Sequence, residues 1–460
     1  MQATITAEGL ARGNKAPLFK TNPVLGPAPQ LSKDPLGFLF DVANQCGDVA
    51  RLRFPYPPFA VHFLRNPDHI HHVLVENQRN YVKETRGYEK LREVLGLGLV
   101  TSEGEFWKRN RRIANPAFHR ERIARFADTM SKSAEQLVAD WEPWIESGRP
   151  FDVTAEMSKV TLKIVGLTLM STDVSDEAQE VGGALTTVLH TTIGRVQNPL
   201  SLPLWIPTPY NRRFLKARAA LDKVVLGLIA KRREEGTDHG DLLSMLISTR
   251  DEETGETMND AQLRDEVMTM FLAGHETTAT ALAWTIFLLS KYPTIERDLR
   301  AELAAVLGGR TPTIADLPKL TLTDQVVKES MRLYPPVWVV ARAPVADDVI
   351  GGFEIPKNTY VFMSPYLLHR HPDYWTNPEG FDPSRWTPEA ERARHKYAYM
   401  PFSMGPRKCI GDMFATMEAR LVLATVLQRV QLSLVPGARV VPEPTITLRP
   451  RGAFVQARRA

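Results

Sequence analysis

Phe402, Gly405, Arg407, Cys409 and Gly411 fall within ten positions and set a single thiol just ahead of an amphipathic helical pattern. A thiolate is a strong anionic ligand for iron, provided that it stays deprotonated and shielded from oxidation. Cys409 stands where the chain enters the helix, so backbone N–H groups and the positive end of the helix dipole would stabilise the anion. Gly405 permits a tight turn, and Gly411 lets the backbone approach a flat group closely. Zinc is disfavoured, because Cys46 is the only other cysteine and no histidine lies within several residues of Cys409.

Two further groupings carry chemistry. Ala273, Gly274, His275, Glu276, Thr277 and Thr278 lie midway along a long helical pattern. A glycine followed by adjacent hydroxyls is expected to loosen the helical hydrogen-bond ladder and leave a groove for a small ligand. An acid beside an alcohol can pass a proton, which makes Glu276 and Thr277 candidate catalytic residues. His275 has no required role and reads as a packing or surface residue. Glu329 and Arg332 are spaced i, i+3 and share a helix face. Such pairs are common on surfaces, so this one gains weight only from Arg385, in the segment 381–386.

The elements that must hold these groups are mostly helical. Apolar residues recur at helical spacing over 120–146, 152–171, 213–235, 260–292, 293–307, 323–333 and 411–430. Strand-like runs cover 49–54, 59–64, 360–364 and 440–455. The fold class is therefore mainly α, with a small β-rich subdomain built from both ends of the chain. The segment 259–292 opens on turn-favouring residues and stops at Pro293, and its length suffices to cross a whole domain. The helix after 323 is stopped by Pro335 and Pro336. Residues 95–99 form a Gly-x-Gly stretch that is no dinucleotide fingerprint, since no third glycine follows at the required spacing.

With 460 residues, 43% of them apolar, the chain can bury a large core. We expect a weakly structured N-terminal arm over 1–24 and a single domain over 25–460. A net charge of +4, with no basic tract interleaved with aromatics, excludes nucleic acid as the obvious partner. The most continuous apolar stretch, 281–289, falls far short of the roughly 20 residues that a membrane span needs. Two cysteines and no apolar leader fit a cytoplasmic protein in a reducing compartment.

The spacing around Cys409 resembles the heme-binding signature of the cytochrome P450 family, and the resemblance extends over roughly residues 25 to 458. It implies heme b (iron protoporphyrin IX) ligated by Cys409, with Phe402 packed on the sulfur. Arg407, Trp107, Arg111 and Arg342 would hold the heme propionates. The run from Ala273 to Thr278 resembles the family's oxygen-activation motif, with Glu276 where many members have Asp. Segment 381–386 resembles the family's meander, so Glu329, Arg332 and Arg385 would form a buried structural triad. Ser384 stands where many members carry Glu. By family position, Val100, Ala273, Val337 and Val339 would line an apolar substrate pocket, with Trp338 turned aside or toward its rim. The resemblance implies a monooxygenase that inserts one atom of O2 into a fatty acid, terpenoid or steroid-like molecule, in motif flavour nearer to long-chain and terpenoid oxidisers. Electrons would come from a separate ferredoxin or flavodoxin with its NAD(P)H-dependent reductase. Peroxide-driven members and heme-based gas sensors are the alternatives. The Glu276–Thr277 pair argues against both.

Overall fold

The computed structural model describes residues 13–55, 58–172, 178–198 and 201–460. Helices dominate, as their periodicity predicts. The longest, Asp260–Lys291, begins at a capping box: Asn259 Oδ1 accepts from Gln262 N at 2.9 Å, and Gln262 Oε1 accepts from Asn259 N at 3.0 Å. It ends at Tyr292, ahead of Pro293. At 1.5 Å per residue its 32 residues run about 48 Å. Its middle is buried nearly all round, from Val267 through Leu289, so it forms the axis of the helical core. Helix Val153–Met170 packs along it, close enough that a Cβ on Gly274 would meet Val165 Cγ2 at 3.2 Å. Gly274 therefore serves helix packing. The predicted loosening does not occur, and the helix is continuous through Thr278.

The β subdomain is assembled from distant segments. Its main sheet runs Val49–Pro55, Pro58–Leu64, Tyr360–Met363, Val340–Pro344 and Tyr81–Val82, in that order. The second and third strands are parallel, with Val61 opposite Tyr360, and the others pair antiparallel. Val340 lies opposite Met363 and Arg342 opposite Val361, which fixes the strand that carries Arg342. Near the C-terminus Val441–Pro444 pairs with Leu448–Arg451, and Phe454–Arg459 joins Val430–Leu434 and Phe151–Asp152.

The described part of the predicted N-terminal arm is anchored at Ala16 and Phe19. Phe19 N donates to Arg51 O at 3.0 Å, and Arg51 N donates to Pro17 O at 2.8 Å. Phe19 is buried edge-on against Phe38, and Ala16 joins a second apolar cluster. Two apolar anchors and a bridge to the first strand are enough to order a short segment. Anchored residues thus lie ahead of the boundary at residue 25, and residues 1–12 lie outside the described residues.

Candidate active site

Cys409 closes a loop whose shape its neighbours impose. Its N–H donates to Phe402 O at 3.0 Å, and Phe402 packs against the helical core. Gly405 has φ +68°, and a Cβ there would overlap Leu74 O, so only glycine fits. Gly411 needs no unusual φ. A Cβ there would meet only Phe118 Cε1, at 3.8 Å, so the protein itself leaves that space open. Cys409 is exposed as a residue, yet desolvation by the surrounding protein raises the pKa of its thiol. Both hold together if the sulfur fronts an internal void. The Gly411 N–H, Arg111 and Lys408 pull the pKa back toward the thiolate.

The long helix has a break in its own packing. Amid its buried residues Ala273 is exposed and Gly274 and Thr277 are half-buried, a gap in the packing on one face. Thr278 faces the Glu418 carboxyl on helix Asp412–Leu427, which brings this stretch against the helix that Cys409 precedes. Glu418 is fully buried, and its pKa is pushed well up. Glu276 and Thr277 are not in contact with each other. Thr277 Oγ1 donates to Ala273 O at 2.6 Å, whereas the Glu276 carboxyl is buried and accepts from Thr447 Oγ1 at 2.9 Å. Successive helix residues diverge by about 100°, so an acid–alcohol pair at i, i+1 must rotate to meet. Burial raises the pKa of Glu276, against Arg449, Thr447 and His190, which lower it. His275 is buried, which depresses its pKa to about 4, as suits a packing residue.

The predicted anion-binding residues converge on one cationic cluster. Arg407 stacks over the Trp107 ring at 3.7 Å, donates to Ser102 O at 2.9 Å and pairs with Glu103. Arg111 donates to Lys408 O at 3.1 Å, beside the cysteine. Arg342 is buried and meets the Tyr88 hydroxyl at 3.2 Å. Lys83, Tyr88 and Glu103 belong to the same cluster and escaped sequence reasoning, since an isolated lysine in a polar stretch carries no signal. Lys83 is buried, donates from Nζ to Val100 O at 2.8 Å, and has its pKa driven well down by burial, Arg342 and Arg407. Burial, with Arg342 adding to it, lowers the pKa of Arg407 to about 10. Lys83, Arg342 and Arg407 thus gather around Glu103, with Arg111 beside them near Asp412, an excess of buried positive charge that an anionic ligand would relieve.

Glu329, Arg332 and Arg385 are brought together. Arg332 makes a bidentate pair with Glu329 at 2.9 and 2.8 Å, and Arg385 Nε reaches Glu329 Oε1 at 3.3 Å. Val337 is exposed, Val339 and Val100 are half-buried, and Trp338 turns aside to donate to Thr445 O at 2.9 Å. Arg109 and Arg112 bind Glu256 and Asp251 within the protein.

The family model described as Cytochrome P450 matches residues 16–457. The chain belongs to the cytochrome P450 family. It is 38% identical to cyclooctatin synthase of Streptomyces melanosporofaciens over 93% of this chain and 92% of that one. Identity is 37% to cyclooctat-9-en-7-ol 5-monooxygenase of the same organism, over 90% of this chain and 89% of the other. Pentalenene oxygenase of Streptomyces avermitilis is 36% identical, over 91% and 92% of the two chains. Among solved structures, the cytochrome P450DA heme domain superposes with a TM-score of 0.90 at 29% identity, covering 98% of this chain and 99% of that one. The chain is a cytochrome P450 monooxygenase with a heme-iron cofactor, which implies O2, redox partners and a substrate. Among the described residues no helix is long and apolar enough to cross a membrane. An exposed cysteine whose thiol is desolvated, open space at Gly411 and a cluster rich in cations fit heme.

Proposed function

We propose that this cytochrome P450 oxidises a terpenoid, inserting one oxygen atom of O2 into a C–H bond. Fatty acids and steroid-like molecules are the other apolar classes. The observation that carries the reading is the gap in packing at Ala273, Gly274 and Thr277, apolar but for a single hydroxyl. The terpenoid-oxidising relatives select among apolar substrates. The overall balance is R–H + O2 + two electrons + two protons giving R–OH and water.

Heme b, held through the Cys409 sulfur, supplies the redox chemistry, and everything else falls to the chain's own residues. Arg407, Arg342, Arg111, Lys83, Trp107 and Tyr88 hold the propionates. Val100, Ala273, Val337 and Val339 orient the substrate and exclude water. The Thr277 hydroxyl leaves the Ala273 carbonyl and donates into the void. Glu276 turns from Thr447 to return that proton from solvent. Glu329, Arg332 and Arg385 fix the segment before the cysteine loop and touch no substrate. A ferredoxin or flavodoxin with an NAD(P)H-dependent reductase delivers the electrons, in the cytoplasm.

The test is a screen of terpene hydrocarbons, fatty acids and steroids for conversion of the ferric protein from low to high spin. Terpenes should convert it at micromolar concentration, and a response confined to fatty acids would overturn the substrate class. Cys409→Ser should abolish the far red-shifted Soret band of the reduced CO complex. Survival of that band would remove Cys409 as the ligand. Thr277→Ala should release peroxide in place of product.

A further inference from the structure

The Gly-x-Gly stretch lies against the long helix, two to three turns ahead of the candidate proton residues. Leu97 N donates to Asp265 Oδ2 at 2.7 Å, and Leu99 N donates to Glu266 Oε2 at 3.0 Å. Glu266 is fully buried, and its other oxygen accepts from Asn110 Nδ2 at 2.9 Å. Gly98 presses on the same turn: a Cβ there would stand 2.6 Å from Asp265 O and overlap the Thr269 hydroxyl. Asp265, Thr269, Ala273 and Thr277 recur every four residues and form one row along the helix. The contact of Gly98 at Thr269 is thus one turn, about 6 Å, from Ala273. The far end of the loop is tied separately, by Lys83 to Val100 O at 2.8 Å and by Arg92 to Thr101 O at 3.0 Å.

We propose that Glu266, together with Asp265, is a specificity-determining positioning residue. It pins residues 96–99 to the long helix and thereby sets where Val100 meets the substrate. A buried acid is costly where an amide or apolar residue would do, and Glu266 sits there with its pKa raised to about 7 by burial and Asp265. Its two acceptors serve two donors from different elements, Leu99 in the loop and Asn110 in helix Gly104–Ala114. Among the described residues Asn110 Oδ1 has no hydrogen-bond partner. An amide flip would therefore let it accept from a glutamine at 266, which would keep the clamp without charge. The proposal rests on the reading that the void above Cys409 holds substrate.

The test uses the heme-loaded protein and two iron ligands of different bulk, imidazole and 4-phenylimidazole, titrated by the Soret shift. Hydrogen exchange at the Leu97 and Leu99 amides is followed in parallel. In Glu266→Leu the Leu99 amide should exchange at least tenfold faster, the loss of one charge-assisted hydrogen bond. The ratio of the two Kd values should move by at least fivefold. Gly98→Ala should reproduce both effects without touching a charge, and it alone decides the matter if Glu266→Leu does not fold. Glu266→Gln should restore both. Exchange that speeds up while the Kd ratio stays within twofold would reduce the clamp to a structural contact and overturn the proposal, as would unchanged exchange. Failure of the active-site reading looks different: neither azole would bind and the thiolate CO band would be missing, whatever the amides do.

Discussion

Two buried charged regions flank the cysteine loop, and they are organised in opposite ways. Around Glu329 the account is closed. Both carboxyl oxygens are taken up by Arg332, Arg385, Trp386 Nε1 and the Asp382 N–H. The remaining Arg332 donors end on the carbonyls of His369, Pro378 and Gly380. Around Arg407 the account stays open, with Lys83, Arg342 and Arg407 around Glu103, Arg111 beside them near Asp412, and Lys83 and Arg407 shifted toward neutrality. A completed network is what structural ions look like, and an incomplete one marks where something from outside the chain must bind.

The sharpest way to break the contrast is to open the closed region. Glu329→Leu leaves two buried guanidiniums without a counter-charge and should cost about 3–5 kcal/mol. We expect little folded, heme-loaded protein, read by thermal unfolding. A melting temperature near wild type would mean that the network is decoration. Glu266 supplies an intermediate case, a buried acid with partners but no cation. Its pKa is about 7 in the fold against an ordinary 4.5, so the folded state holds the proton more tightly than the unfolded one. Its contribution is complete below pH 4.5 and lost as pH rises through 7, about 3 kcal/mol in all. Urea unfolding at pH 4.5 and 7.5 should show wild type falling relative to Glu266→Gln by that amount, and parallel behaviour would refute the shift.

The open region should respond the other way. Arg407→Leu removes one of several mutually repelling cations, so the stability of the heme-free chain should change by less than about 1 kcal/mol. Heme retention should nevertheless fall by roughly 10- to 100-fold, the worth of a charged hydrogen bond, measured by transfer to apomyoglobin. Large destabilisation with normal heme retention would place Arg407 with the structural ions.

What the sequence disclosed follows the range of the forces involved. The long helix was legible from its Asn259 cap to Pro293, because caps and periodicity are local. So were the cysteine loop and the Glu329–Arg332 spacing. Helix Pro35–Cys46 and strand Val430–Leu434 were not: the first is short, and the second continues an apolar helix without a break in pattern. Lys83, Tyr88 and Glu103 are brought to Arg407 only by tertiary folding, and no spacing announces them. Gly274 shows the opposite failure. Its neighbours invited a local account, a loosened helix, whereas its actual constraint is Val165 on another element.

The smallest expected effect concerns Glu276, which belongs to neither region. It is buried like Glu329, but among the described residues Thr447 is its one hydrogen-bonding side chain, and Arg449 acts on it through its field. Thr447→Val removes a partner that favours the charged form, so the acid should titrate higher still. One neutral hydrogen bond is worth about 1 kcal/mol, or a little under one pH unit. If protonated Glu276 supplies the proton that Thr277 passes on, the fall of product formed per NAD(P)H with rising pH should move upward by that much. Thr447→Ser should return it. A profile that stays in place would show that protons reach Thr277 by another path, and the bond to Thr447 would then be as structural as those around Glu329.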